Sequence, residues 1–357
     1  MEFKAGKILV VNLGGLGDIV MMTPILKAVK KKYPGSSISL LTIPRSLEIS
    51  KNLSGIDRFY TLPMTFKTPS PFFFLKLLRA ALDLRKERFD ALIDFKGVQT
   101  TPGSLKMFLL VKIINAKTSI GRNLGGKGWF FDHKIKETVN KPNTEVEHTL
   151  KLLEPLEITE FDKTIEYPVT RQDTEFIDSE LKKLNIDKAV HKLIGLNPGA
   201  FRPSRRWPID SWKDLINLLT VKYPDCRIFI TGEQSELTSI EKLKISDNVI
   251  VTNGKYSIGQ LAALFSKLDV FITNDTGPMH LAAAAGAKIT AIFGPGDVHR
   301  FSPSVAKEKY RIVRKDIPGC ERPCYKFSCD NPVCLTGIQP AEVFAAADNL
   351  LKSGKQQ

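Results

Sequence analysis

The chain has 357 residues, 43% of them hydrophobic, enough for two domains with separate cores. Its 52 Lys and Arg against 38 Asp and Glu give a net charge of +14, which calls for an acidic partner such as a nucleotide, an anionic lipid surface or a nucleic acid. There is no apolar run of about 18 residues, no signal-peptide pattern at the start and no cysteine before Cys226, so a membrane-spanning chain and a secreted disulfide scaffold are excluded and a cytoplasmic protein is expected.

In chain order, residues 7–12 read as a buried parallel strand. The loop Leu13-Gly14-Gly15-Leu16-Gly17-Asp18 follows, then one helix through Lys32 on which Ile19, Met22, Ile25, Leu26 and Val29 recur at helical spacing. A dinucleotide-binding fold opens in a similar way. Here Val20 stands where that fingerprint has its third glycine, and no acidic residue closes the next strand, 37–42, which argues against a nicotinamide-dependent dehydrogenase. Asp18 at the helix start is either a cap or a carboxylate that the helix end keeps ionised for chemistry. Three glycines ahead of it exceed what a cap requires.

The first half continues with strands 37–42 and 58–62, helix 71–86, strand 91–95, helix 104–114 and strand 118–122, an alternation that predicts a doubly wound sheet. Helices 71–86 and 104–114 mix apolar or aromatic residues with Lys and Arg. They are core helices with cationic faces, or, for the first, a contact with an anionic membrane leaflet. Lys96, Arg122 and Lys127, with Asp94, fall at or just past strand ends. The three cations are candidates to hold an acidic saccharide, together with Gly15 of the glycine loop.

Residues 157–171 lack periodicity and contain Pro168, so the linker is placed there. The expected organisation is an N-terminal domain over 1–165, a C-terminal domain over 172–338, and a closing helix and tail over 339–357. A helix at 173–184 leads to strand 193–197 and the loop Asn197-Pro198-Gly199-Ala200-Phe201-Arg202-Pro203-Ser204-Arg205-Arg206-Trp207-Pro208, where Trp207 and Pro208 read as structural. Strand 226–231 ends in Gly232-Glu233. A βαβ unit follows: strand 268–273, the turn Asn274-Asp275-Thr276, a small-residue helix 277–286 and strand 288–293, with Gly277, Gly294 and Gly296 crowding one sheet edge. Ligands bind at that edge in open α/β sheets because the first helical turn offers unpaired N–H groups and the positive dipole end. Thr276 and His280, four apart, would share one helix face, with Asp275 outside it as a cap. The dense thiols Cys320, Cys324, Cys329 and Cys334 leave two readings open, a four-thiolate metal site or reduced thiols, since no Cys-x-x-Cys pair occurs.

Asp275-Thr276-Gly277-x-x-His280, then Ala-Ala-x-Gly286 and a strand ending in Phe293-Gly294, resembles the nucleotide-sugar site of glycosyltransferase family 9, the ADP-heptose:lipopolysaccharide heptosyltransferases. The Gly14 to Asp18 loop and the 197–208 loop resemble the same family. The resemblance implies an α/β fold of the GT-B kind, two Rossmann-like domains facing across a cleft, with an acceptor-binding first half and a nucleotide-sugar-binding second half. It implies Asp18 as catalytic base, a role chemistry supports because transfer to an alcohol needs a carboxylate to take the hydroxyl proton. It implies Arg205 on the donor phosphates, where the family carries Lys; Arg keeps the charge and adds a bidentate fork. Glu233 would accept from ribose hydroxyls, and Asp275, Thr276, Gly277 and His280 would hold donor groups.

The expected activity is inverting transfer of heptose from ADP-heptose to a lipid-linked lipopolysaccharide inner-core saccharide, by a monomer that needs no cofactor and touches the inner membrane peripherally. No Asp-x-Asp occurs, so a cation-held diphosphate is not expected. A transferase of the same fold that uses another nucleotide sugar, for capsule or protein glycosylation, is the alternative. Nucleic-acid binding lacks a recognition motif or an aromatic-basic stripe.

Overall fold

A computed structural model of the chain describes residues 6–62, 71–137 and 143–353; the side chains of 71–74, 234, 237 and 239 and the tail from 354 lie outside the described residues. The chain divides into two compact units, Met1–Ile165 and Glu166–Gln357.

The first unit is a six-stranded parallel sheet. Its strands are β1 (Lys7–Val11), β2 (Ser37–Thr42), β3 (Arg58–Thr61), β4 (Ala91–Asp94), β5 (Thr118–Arg122) and β6 (His133–Ile135), in the order β3-β2-β1-β4-β5-β6. β1 is central, with Val11 opposite Leu41 on one side and Asp94 on the other. The central strands are buried on both faces, as a continuous apolar run such as Ile8-Leu9-Val10-Val11 requires. Leu9, Val11, Leu92, Phe89 and Phe131 form the core with the helices above.

The second unit repeats this plan with β7 (Leu193–Asn197), β8 (Arg227–Ile230), β9 (Val249–Val251), β10 (Val270–Asn274), β11 (Ile289–Phe293) and β12 (Tyr310–Arg314), in the order β12-β11-β10-β7-β8-β9. Read from its first strand, this is the same permutation as in the first unit. In each sheet the order reverses beside the first strand, between β1 and β4 and between β7 and β10. Loops diverge there at the carboxyl ends, which opens a crevice for ligands. The helix Pro340–Lys352 buries Val343, Ala347, Leu350 and Leu351 in the core of the second unit, on the helix Ile209–Lys222, and so packs within that unit rather than standing apart.

Three features depart from the sequence expectation. The single helix through Lys32 is two, Leu16–Met21 and Thr23–Lys32, because Pro24 lacks the N–H to continue the first ladder and suits the first turn of the second. A helix at Pro44–Lys51 was unforeseen: it buries Ser46 and Ser50 with Ile49 and so shows little apolar periodicity. The edge strands β6 and β9, three residues each, and the Arg-bearing edge strand β12 were likewise missed.

Candidate active site

In the first unit the chain leaves β1 at Asn12, whose buried amide fixes the loop. Its Oδ1 accepts from the Gly14 N–H (3.0 Å) and its Nδ2 donates to the Asp18 carbonyl (3.0 Å). Asp18 lies in the first helical turn, with Gly15 at the cap position, and its Oδ2 accepts from the Gly15 N–H at 2.9 Å. The carboxyl folds back over Gly14 so closely that a Cβ there would collide with it, which is why that position is glycine. Lys96, on the loop after β4, places Nζ 2.7 Å from the same Oδ2. The two sides of the switch point thus deliver one carboxylate and one ammonium to each other, with the ammonium about half exposed at 45%.

The helix Pro44–Lys51 supports this loop. Ser46 Oγ donates to the Gly14 carbonyl (2.7 Å), and the Arg45 guanidinium lies close enough to Gly15 that a Cβ there would sit 3.3 Å from Nη2. Arg45, which the sequence reading missed, is an exposed cation beside the glycine loop. Lys127 Nζ donates to Thr101 Oγ1 at 3.0 Å. Arg122 is corrected: it is wholly buried, with Nη1 2.6 Å from Glu145 and a further ion pair to Glu137, so its guanidinium is not offered to a saccharide.

In the second unit, Asn274 at the end of β10 ties down the 198–208 loop. Its Nδ2 donates to the Pro198 carbonyl (2.8 Å), and its Oδ1 accepts from the Trp207 N–H (3.3 Å). Trp207 is buried, its Nε1 donating to the Ile338 carbonyl, and is structural as expected. So anchored, the loop brings Arg205 to Asp275: Nη1 is 3.2 Å from the Asp275 carbonyl and 3.0 Å from Oδ2, a charge contact rather than an aligned hydrogen bond. Asp275 is 3% exposed. Burial pushes its carboxyl up to about 6; Arg205 and Arg202 pull it back and Asp297 pushes it further. The expectation that Asp275 caps the next helix is corrected, since Thr276 occupies the N-cap of Gly277–Ala284 and makes no side-chain capping bond. That leaves the first N–H groups of the helix without a side-chain cap, beside a half-buried Thr276 and Gly277 and a buried His280. A Cβ on Gly296 would collide with the Asp275 carboxylate, so glycine there is required by close approach.

Glu233 is exposed, whereas Glu236 turns back over the strand ends, 14% exposed and paired with Arg206 at 3.3 Å. A side chain on Gly199 would run into it, whereas one on Gly232 would first meet Asn253 and Ile240. The signal for Glu236 was present, a carboxylate one helical turn past Gly232, but two glutamates so close in sequence look equivalent.

Among the described residues no group of three or more His, Cys, Asp or Glu side chains is arranged as a metal site, although Cys334, whose thiol burial pushes up most, lies near enough to Cys320 and Cys329 for them to push it up further. The segment buttresses the Arg205 loop. Ser204 Oγ donates to the Lys326 carbonyl (2.8 Å), Arg202 Nη1 to the Tyr325 carbonyl (3.1 Å), and Phe327 packs edge-on against Phe201.

The family model for glycosyltransferase family 9 (heptosyltransferase) matches residues 77–331. Over 169 residues the chain is 36% identical to a lipooligosaccharide heptosyltransferase 2 of Campylobacter jejuni, a match covering 45% of this chain and 52%, about half, of that one. It is 26% identical over 310 residues to lipopolysaccharide heptosyltransferase 1 of Campylobacter coli, covering 82% and 85% of the two chains. A solved structure titled E. coli ADP-heptose lps heptosyltransferase II superposes over 98% of this chain and 99% of that one, with a TM-score of 0.74 at 17% identity, a likeness of fold.

Proposed function

The chain belongs to glycosyltransferase family 9, and on that premise we propose that it transfers heptose from ADP-heptose to a saccharide of the lipopolysaccharide inner core. The protein is a glycosyltransferase with two Rossmann-like parallel sheets of the GT-B kind. The relatives named above act in lipopolysaccharide or lipooligosaccharide assembly, and one solved relative is named for ADP-heptose.

The observation that carries the mechanism is that each switch point holds an acid–cation pair, Asp18 with Lys96 and Asp275 with Arg205. Asp18 accepts the proton of the acceptor hydroxyl as that oxygen bonds to the anomeric carbon. The bond from that carbon to the diphosphate breaks in the same displacement, so the configuration inverts without a covalent sugar intermediate. Negative charge gathers on the departing diphosphate. Arg205 and the first N–H groups of Gly277–Ala284 supply positive charge to it, and Asp275 and His280 orient donor groups. Glu233 and Glu236 both follow β8, and a carboxylate there accepts from the ribose hydroxyls; Glu236, paired with Arg206 and lying against Gly199, joins Glu233 as a candidate for that role.

The acceptor is lipid-linked, and the protein meets it at the cytoplasmic face of the membrane. Support for this comes from two helices packed side by side, Pro71–Lys86 and Thr101–Ile114, which expose Leu75, Leu78, Leu82, Leu105 and Leu109 among Lys76, Arg79, Lys106 and Lys112. Among the described residues no helix is long and apolar enough to cross a membrane.

Asp18→Ala tests the mechanism: transfer should stop while calorimetry in EDTA still shows ADP-heptose binding. An active Asp18→Ala would remove the assignment, and binding of UDP-sugars in place of ADP-heptose would keep the fold and discard the donor.

A further inference from the structure

The transfer mechanism makes no use of Asp94, yet this residue ends β4, the strand beside β1, with 2% exposure. Its carboxyl faces the backbone N–H groups of Lys96 and Gly97 in the turn that follows, and its Oδ2 is buried with no hydrogen-bond partner. Arg122 holds the same turn from the other side, donating from Nη1 to the Lys96 carbonyl at 3.3 Å while Glu145 and Glu137 balance its charge. Gly97 turns the chain at φ +70°, where a Cβ would press to 3.1 Å against Arg122 and Leu124. Two buried ionisable groups therefore grip the turn around one half-exposed lysine, Asp94 from the side of its N–H and Arg122 at its C=O.

A turn leaving a strand needs no such apparatus. Burying a carboxyl whose nearest cation is already paired is unfavourable. Burial pushes Asp94 up to about 7, against the pull of Arg122. What the grip secures is the direction in which Lys96 leaves the backbone, and the Lys96 ammonium is the group 2.7 Å from Asp18 Oδ2.

We propose that Asp94 is a positioning residue for the transfer step: by fixing the Lys96–Gly97 turn it sets the Lys96 ammonium against Asp18 and so orients the base toward the acceptor hydroxyl. A lysine side chain is flexible, so its head is placed only as well as its main chain is placed. Displacing a reacting group by about 1 Å lowers a rate by roughly a hundredfold. The inference rests on the reading of Asp18 as base.

The test is kinetic, with ADP-heptose and the lipid-linked acceptor. Asp94→Ala should lower kcat by about ten- to a hundredfold with the donor KM changed less than about twofold, because the donor groups lie in the other unit. Asp94→Asn, which keeps an acceptor oxygen, should recover most of that loss. In a Lys96→Met background Asp94→Ala should cause no further loss, since it acts only through Lys96. If Asp94→Ala does not fold, Gly97→Ala moves the turn while leaving the buried charges in place, and the same fall in kcat is expected. Wild-type kcat in Asp94→Ala or in Gly97→Ala overturns the proposal, as does an Asp94→Ala loss that multiplies onto that of Lys96→Met. Failure of the underlying reading looks different: Asp18→Ala itself would stay active.

Discussion

Single residues at the two switch points divide into those whose role a sequence can announce and those whose role depends on burial. Asp18, Arg205 and Asp275 stand in glycine-bounded loops at strand ends, and the structure pairs each with a cation or an anion there. Arg122 also ends a strand, but exposure and burial read alike in sequence, and only the fold shows it fully enclosed by Glu145 and Glu137. Asp275 carries a pH dependence. Its folded carboxyl sits near 6, above the ordinary 3.8, chiefly from burial, while Arg205 draws it down. A diphosphate bound at Arg205 adds negative charge and takes up that counter-charge, which raises Asp275 further, so donor binding takes up a proton in the window above about pH 6. Affinity for ADP-heptose should thus rise as pH falls from 8 to 6, by up to about tenfold for each unit the donor raises Asp275, and level off below. Calorimetry across this range should give a flat profile for Asp275→Asn; an equally steep profile in that variant would place the titration elsewhere. A sugar diphosphate diester has no phosphate ionisation in this range to imitate the effect.

Elements were legible where an apolar run or a helical stripe is long. Strands β2, β5 and β7 and the helices Pro71–Lys86 and Pro340–Lys352 fall where periodicity puts them. The helix Pro44–Lys51 was invisible because serines, rather than a stripe of leucines, face inward, and it carries Ser46 and Arg45 to the glycine loop. The cysteine segment has a role that the spacing of its thiols does not announce, its backbone serving as a brace for residues 202–204. The long 198–208 loop has little regular structure of its own beyond the short turn Pro203–Arg205, so its geometry depends on the fully buried side chain of Asn274. Asn274→Ala would leave the Trp207 N–H and the Pro198 carbonyl buried without this partner, a loss of about 1–3 kcal/mol. Calorimetric unfolding should show a Tm lower by roughly 2–10 °C, and the freed Arg205 should weaken ADP-heptose binding as well. Unchanged donor affinity at reduced Tm would mean that Asp275 and the brace of residues 325–327 hold Arg205 without Asn274.

At the scale of the whole molecule, one strand order used twice accounts for where the chemistry lies. Each sheet opens a crevice at its own reversal point, and the glycine loops of the sequence mark those two places before any coordinate is known. What the sequence could not show is where the +14 charge gathers, because helices from different parts of the chain combine to form a surface. The exposed leucines of Pro71–Lys86 recur at 75, 78 and 82, on one side of the helix, and the neighbouring helix adds Leu105 and Leu109, with cations on both. Apolar residues entering the interface and cations near anionic headgroups, about 1 kcal/mol for each cation, would act together. Cosedimentation with vesicles should therefore show binding that strengthens with anionic lipid, weakens as salt is raised, and falls by at least about tenfold when Leu75, Leu78 and Leu82 are replaced together by Ser. The same triple variant should turn over a soluble, delipidated acceptor at the wild-type rate, because none of the three touches Asp18, Lys96 or the donor residues. Vesicle binding that survives the substitutions, or that is as strong on neutral lipid, would assign the charge to nucleotide capture and leave these helices as an ordinary solvated face.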